Sequence, residues 1–208
     1  MASGEPMREK LLQRAIAVIE ESGEVGIKTH AIAADCGVTA PVLYRLFGDR
    51  EGLIVAAQSE RYRRTYANDD AGIGAELRHR VARCLNREDV IEVIRWFVAA
   101  ALAPDRRAAV LARIEVLGSS LTRPALRAAV AEVESEKLVD IVRVFEVAQE
   151  HGWVRPAFAG ASVAAVWHGL VLGTYVPAVV GDVLDADDWV RAATEAMLHL
   201  MFDEPTQR

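Results

Sequence analysis

Apolar residues recur at spacings of three and four along almost the whole chain, and hardly any stretch alternates apolar with polar positions for long. That periodicity predicts helices that bury one face, and it leaves no room for a sheet. The fold class expected is therefore all-α. Over residues 8–22, Leu12, Ala15, Ile16 and Ile19 share a face, and Gly23 supplies a stop. A second helix is expected over 29–35, with Ile32, Ala33 and Cys36 facing inward and Gly37 ending it. A tight turn follows. Thr39 or Ala40 then opens a short third helix, with Pro41 in the first turn, where a missing N–H does no harm. Its apolar side is Val42, Leu43, Leu46 and Phe47. Gly48 breaks it, Asp49 caps the next, and a long helix is expected over 50–66.

The run Asn-Asp-Asp-Ala-Gly-Ile-Gly at 68–74 is rich in turn formers and divides the chain into a small part, 1–66, and a larger one, 67–208. In the larger part, helices are expected over 75–85, 88–102, 105–119, 124–150, 160–179 and 186–202, with Gly152 stopping the fourth of these. No internal repeat or low-complexity tract interrupts them.

Composition narrows the function classes. A chain of 208 residues that is 52% hydrophobic can bury a sizeable core. Glu5, Arg8, Glu9, Lys10, Arg14, Glu20 and Glu21 break any secretory apolar run near the start, so a cytoplasmic protein is expected. Cys36 and Cys84 lack a Cys-x-x-Cys partner, which argues against zinc and disulfides and for reduced thiols. The net charge of −6 belongs entirely to 67–208, because residues 1–66 carry nine basic and nine acidic side chains. A local basic face in the small part fits this distribution, and so does an ordinary acidic protein.

Residues 27–46 carry the pattern of a helix-turn-helix: a first helix that packs, a sharp turn, and a second helix whose outer face can enter a major groove. Ile32, Ala33, Val38, Leu43 and Phe47 occupy inner positions, while Thr29, His30, Thr39, Ala40, Tyr44 and Arg45 occupy outer ones. Thr29 and Tyr44 offer hydroxyls to phosphate oxygens, Lys28, Arg45 and Arg50 offer positive charge, and His30, Thr39 and Ala40 are placed for bases. Periodicity alone fits a plain helical hairpin with a solvated face equally well.

The run from Ile32 to Leu53, IAADCGVTAPVLYRLFGDREGL, resembles the DNA-binding domain of the tetracycline-repressor (TetR) family, which typically reads I-A-x-x-A-G-V-S-x-x-x-L-Y-x-H-F-x-x-K-E-x-L. Ile32, Ala33, Gly37, Val38, Leu43, Tyr44, Phe47, Glu51 and Leu53 match directly, and Thr39 and Arg50 are conservative replacements. The departures are Cys36 for alanine, Leu46 for a frequent histidine, and Pro41 where a small residue is common. The motif covers about residues 8–66. The resemblance implies phosphate contacts from Thr29, Tyr44 and Arg50, and base contacts from His30, Thr39, Ala40 and Pro41. It also implies a homodimer on double-stranded operator DNA, acting as a repressor released by a small-molecule effector.

From Gly160 to Gly181 no side chain is charged unless His168 is protonated, a length that raises a membrane helix. His168, Pro177 and the glycines argue against it, and no membrane partner is expected. Ala161, Ala165, Gly169 and Gly173 instead form a small-residue stripe that lets a second helix come close, while Val163, Val166, Leu170 and Tyr175 thicken other faces. A second subunit is the expected cover, with the following helix, bearing Trp189 and Met197, completing a four-helix interface. Trp96, Phe97, Arg113, Glu115, Phe145, Trp153, Trp167, His168 and Tyr175 are candidates for lining an effector pocket, although aromatics at helical spacing more often fill cores.

Two rivals stand beside this reading. A di-iron helical bundle needs two Glu-x-x-His pairs, and only Glu76 with His79 occurs. No Gly-rich phosphate loop or G-x-S-x-G elbow is present. No catalytic residue, cofactor or metal is assigned, and the protein is not expected to be an enzyme. A helix-turn-helix dimer that works without any effector is the other rival.

Overall fold

The structure, a computed structural model, describes residues 4–155, 158–181 and 183–202. Among them there are helices and turns and no strand. The α-helices among the described residues are α1 (Gly4–Ser22), α2 (Thr29–Asp35), α3 (Ala40–Phe47), α4 (Arg50–Asp69), α5 (Ala75–Val81), α6 (Arg87–Ala101), α7 (Arg107–Ser120), α8 (Pro124–Glu150), α9 (Gly160–Gly173), α10 (Tyr175–Val180) and α11 (Ala186–Met201). Single 3-10 turns occupy Glu24–Gly26 and Pro104–Arg106. The chain forms two compact units, residues 1–64 with 116–131, and residues 65–115 with 132–208.

The first unit closes over Leu11, Leu12, Ala15, Ile16 and Ile19 of α1, Ile32 and Ala33 of α2, Leu43 of α3, and Leu53, Ile54 and Ala57 of α4, all buried. The inward faces of α1 and α2 are those the spacing predicts, whereas on α3 only Leu43 of the expected apolar side is buried and Val42, Leu46 and Phe47 are half-buried. Asp49 caps α4, its carboxylate accepting from the Gly52 N–H at 2.7 Å. By the division expected from the sequence, residues 116–131 belong to the larger part. They pack with the first unit, because Glu24 collects donors from them: Ser119 Oγ donates to its carboxylate at 2.6 Å, and Arg123 lies 2.8 Å away.

In the second unit, α11 packs on α6 and α9. The core is built from Phe97 and Val98 of α6, Val110 of α7, Phe145 of α8, Val163, Ala164 and Trp167 of α9, and Ala193 and Met197 of α11. The turn-rich 68–74 does not form the loop its composition predicts. The chain stays helical to Asp69 and winds on as a π-helical turn over Asp70–Gly74, where Ile73 packs against the core. Weak local propensity, about 1 kcal/mol for each glycine, is overridden by that packing.

Two further boundaries shift for local reasons. The helix expected over 75–85 ends at Val81, because Asn86 opens the next: its side chain accepts from the Asp89 N–H at 2.9 Å, and Asp89 accepts from the Leu85 N–H at 2.8 Å. The helix expected over 160–179 breaks at Thr174 into α9 and α10. Pro177 has no N–H to bond the preceding turn, and the Thr174 hydroxyl donates to the Val171 carbonyl at 2.7 Å. The stretch Gly160–Val180 is long and apolar enough to cross a membrane by composition. In the fold it is this broken pair, with Val163, Ala164, Trp167 and Val171 buried along one side.

Candidate nucleic-acid interface and ligand cavity

The turn between α2 and α3 is built by the backbone. The Val38 N–H donates to the Ala33 carbonyl at 2.9 Å, and Gly37 takes φ +78°, a region where a side chain is strained. Thr39 is extended and leads into α3, with Pro41 in the first turn. The helices are held from behind by α1: Arg14 pairs with Asp35 at 2.8 Å, and Lys10 donates to the Cys36 carbonyl at 3.0 Å. Arg14 is accordingly held above the ordinary guanidinium range, by its hydrogen bond to Asp35.

Of the residues the sequence assigns to DNA, Lys28, His30, Thr39, Pro41, Tyr44, Arg45 and Arg50 are exposed. Thr29 and Ala40 are buried, at 8% and 6% exposure. Ala40 packs its methyl group inward at the start of α3. The Thr29 hydroxyl is hydrogen-bonded to the Tyr44 hydroxyl at 2.9 Å, so these two side chains tie α2 to α3. Arg50 has a structural task that its position does not announce. Its guanidinium donates to the Ile27 carbonyl at 2.9 Å and the Glu24 carbonyl at 2.6 Å, stitching α4 to the segment before α2. We expect Arg50→Ala to lower the stability of the first unit by about 1–2 kcal/mol, the modest end for charge-assisted bonds because the side chain is exposed. Lysine should not rescue it, since one ammonium does not reproduce a fork reaching two carbonyls. Urea melts of the two variants check this, and recovery in Arg50→Lys would show that charge alone matters.

Glu24 and Arg123 are the residues the sequence did not flag. Burial raises the Glu24 carboxyl, but hydrogen bonds from Ser119 and Gln58 and the charge of Arg123 outweigh it, and the net shift is downward from 4.5. A depressed folded pKa stabilises the fold above the unfolded value and is lost as pH falls through the folded one. Between about pH 6 and about pH 3, the wild type should therefore lose more stability than Glu24→Gln, which has no carboxylate to protonate. Denaturation curves for both proteins at the two pH values measure this, and equal losses would contradict it. The thiols of Cys36 and Cys84 are free and buried, and burial raises both above the ordinary thiol value.

The second unit holds a cavity of about 110 Å³. Phe97, Arg113, Trp167 and His168, four of the effector-pocket candidates, are among the residues that line it. The other candidates lie elsewhere. Trp96 sits under the Arg80 guanidinium at 4.3 Å, Phe145 is buried in the core, Trp153 stacks on His151, and Tyr175 is 44% exposed on α10. Glu115 is exposed and outside the lining. The sequence did not single out Tyr66, Arg78, Arg106, Lys137 and Ile141, which complete much of the wall. Arg113 is buried and oriented by α4: it donates to the Thr65 hydroxyl at 3.1 Å and the Thr65 carbonyl at 2.9 Å, and lies 4.0 Å from the centre of the Tyr66 ring. Glu134 accepts from the Tyr66 hydroxyl at 2.6 Å and lies 3.5 Å from His168 Nε2. Glu76 is paired with Arg80 at 2.7 Å.

The six positions assigned to a subunit interface divide. Ala161, Ala165 and Gly169 are exposed on α9. Gly173 meets Trp189 within the chain, where a Cβ would stand 2.7 Å from the indole ring. Met197 is only 1% exposed, so it belongs to the core of its own unit and offers no surface. The apolar surface is extended instead by Val166, Tyr175, Val176, Val179 and Val180, each at least 40% exposed.

The described residues thus form a helix-turn-helix module in one unit and a cavity lined by helices in the other. Residues 11–57 match the family described as bacterial regulatory proteins, tetR family. No curated protein sequence matches the chain. Among solved structures, a TetR-family transcriptional regulator from Rhodococcus sp. is 21% identical, with a TM-score of 0.63 over 94% of this chain and 98% of that one. A transcriptional regulator from Saccharomonospora viridis in complex with choline is 13% identical, with a TM-score of 0.65 over 96% and 100%. The transcriptional regulator FadR from Bacillus subtilis in complex with stearoyl-CoA is 14% identical, with a TM-score of 0.56 over 91% and 96%. The N-terminal module is thus similar to the tetR family over residues 11–57, and the fold of the chain is like that of these solved structures.

Proposed function

We propose that the protein is a homodimeric repressor that holds operator DNA through α2 and α3 and releases it when a small molecule fills the cavity of the second unit. The observation that carries this reading is the exposed face of the helix-turn-helix. His30, Thr39, Pro41, Tyr44 and Arg45 point away from a core that is complete without them, in a module that matches the tetR family. Small side chains at the start of α3 suit close approach to base edges, and Lys28, Arg45 and the Tyr44 hydroxyl suit phosphates. The Thr29 hydroxyl acts through Tyr44, and Arg50 through the segment it anchors.

A dimer follows from two considerations. α9 and α10 expose Val166, Tyr175, Val176, Val179 and Val180 along one stretch, the kind of apolar patch that marks an interaction surface. Two modules related by a two-fold axis also explain how recognition helices reach successive major grooves, about one helical turn apart. Release by an effector is a population shift: a ligand preferring the conformation whose modules do not fit the operator lowers DNA affinity by its preference between the two states. α4 is the element we assign to transmission, because it begins with Arg50 in the first unit and carries Tyr66 of the cavity wall near its end. Two solved structures of like fold hold ligands, choline in one and stearoyl-CoA in the other, which supports an effector here without naming it.

Selection from a pool of random duplexes tests the reading. We expect enrichment of a near-palindrome with half-sites about one helical turn apart. Enrichment of a single half-site would contradict the dimer, and no enrichment would contradict sequence-specific binding.

A further inference from the structure

We propose that the second unit holds a further binding site beside Trp189, which takes a compact neutral molecule with an apolar body and one hydrogen-bond acceptor, such as a ketone. The indole of Trp189 is half-buried, but its Nε1 is fully buried and has no hydrogen-bond partner among the described residues. A buried N–H without a partner is costly, and native structures give nearly all such donors one. Trp189 lines a cavity of about 110 Å³ that is distinct from the one around Phe97 and Trp167, although Ala101 and Arg106 touch both.

Two facts put the N–H at this cavity. Gly173 packs on the ring edge that carries Nε1: a Cβ on Gly173 would stand 2.7 Å from Cζ2 and 3.8 Å from Cε2, the carbon bonded to Nε1. Thr174 and Pro177, just beyond Gly173 in the chain, line the cavity. The lining gives the donor no side-chain acceptor. No carboxylate, carboxamide or imidazole belongs to it among the described residues, and the Thr174 hydroxyl is turned to the Val171 carbonyl, to which it donates at 2.7 Å. Leu102, Val110 and Pro177 are buried while Pro104, Arg107 and Ala186 are exposed, so the cavity has an apolar floor and a mouth open to water. A buried water needs about two to four polar partners, and the side chains of this floor supply one. A molecule with a single acceptor needs only that one, and its body covers the rest of the floor. Arg106 is already engaged by another group, and a charge buried against one neutral donor costs far more than a carbonyl does, which sets the neutral class.

The probes are cyclohexanone, methylenecyclohexane and cyclohexanecarboxylate: one ring carrying a neutral acceptor, a group of the same shape without an acceptor, or an anion. Each is titrated into the full-length protein, ¹⁵N-labelled at its four tryptophans, and read from the indole N–H resonances, with Trp189→Phe alongside. We expect cyclohexanone to bind at least about tenfold more tightly than either of the others, moving the Trp189 N–H resonance and not that of Trp167, which reports the other cavity. In Trp189→Phe the preference for cyclohexanone over methylenecyclohexane should vanish. Equal affinity for those two in the unaltered protein, tighter binding of the carboxylate, movement at Trp167 instead of Trp189, or no binding of any probe would overturn the proposal. If Trp189→Phe fails to fold, the ratio and the resonances of the unaltered protein still decide. None of these failures touches the effector reading, which operator binding tests separately.

Discussion

Leu43→Ala should cost the first unit about 2–5 kcal/mol, the range for emptying a fully packed site of this size. Leu43 is the inward residue of the recognition helix and has no exposed surface. It belongs to the core that joins α1, α2, α3 and α4, so truncation leaves a void where all of them converge. A short helix such as α3 is not stable by itself and depends on that packing. Typical domains hold only about 5–15 kcal/mol in total, so a loss of this order takes much of the module's margin. DNA binding should fall with it, although Leu43 touches no DNA in the proposed mode. Hydrogen exchange of α2 and α3 amides in the variant measures the effect, and protection like that of the wild type would show that the module's core is held elsewhere.

Trp167→Ala should cost the second unit about 3–5 kcal/mol. The indole is 3% exposed, lies 4.6 Å from the Phe97 ring centre, and forms part of both the core and the cavity wall. Its removal joins a new void to an existing cavity. Exchange protection should fall in α6 and α9 and stay as it was in α2 and α3, because the two units have separate cores. A uniform loss of protection across the chain would mean that the units unfold as one.

The parts of this fold that were legible in the sequence are those written in local periodicity. The second and third helices, the turn at Gly37 and the inward set Ile32, Ala33 and Leu43 follow from spacing and stop signals, because each depends on residues within a few positions. The break at Thr174 was not legible as a break. Pro177 was visible, but a proline is tolerated in the first turn of a helix, and the sequence did not show that Tyr175 begins a new one. The π-helical turn over Asp70–Gly74 was hidden behind loop-like composition for the same reason.

The site divides along the same line. Exposure of His30, Thr39, Pro41 and Arg45 follows from their register on α2 and α3, whereas the anchoring role of Arg50 depends on carbonyls more than twenty positions earlier. The Glu24 cluster joins residues almost a hundred positions apart, a distance over which periodicity carries no information. In the cavity, aromatic residues drew attention, but Trp96 and Tyr175 lie outside it while Arg78, Arg106 and Lys137 lie on its wall. Charged side chains at helical spacing read as solvated faces until the fold shows a cavity beside them.

The most direct test of the central claim is fluorescence anisotropy with labelled duplex from upstream of the protein's own gene and a scrambled duplex of equal length. Both are titrated at two salt concentrations with wild type and Arg45→Ala. The account predicts tight binding to the upstream duplex, weaker binding to the scrambled one, loss of affinity at higher salt, and a further loss in Arg45→Ala with a shallower salt dependence. Equal and weak binding to both duplexes, unchanged by the substitution, would contradict it.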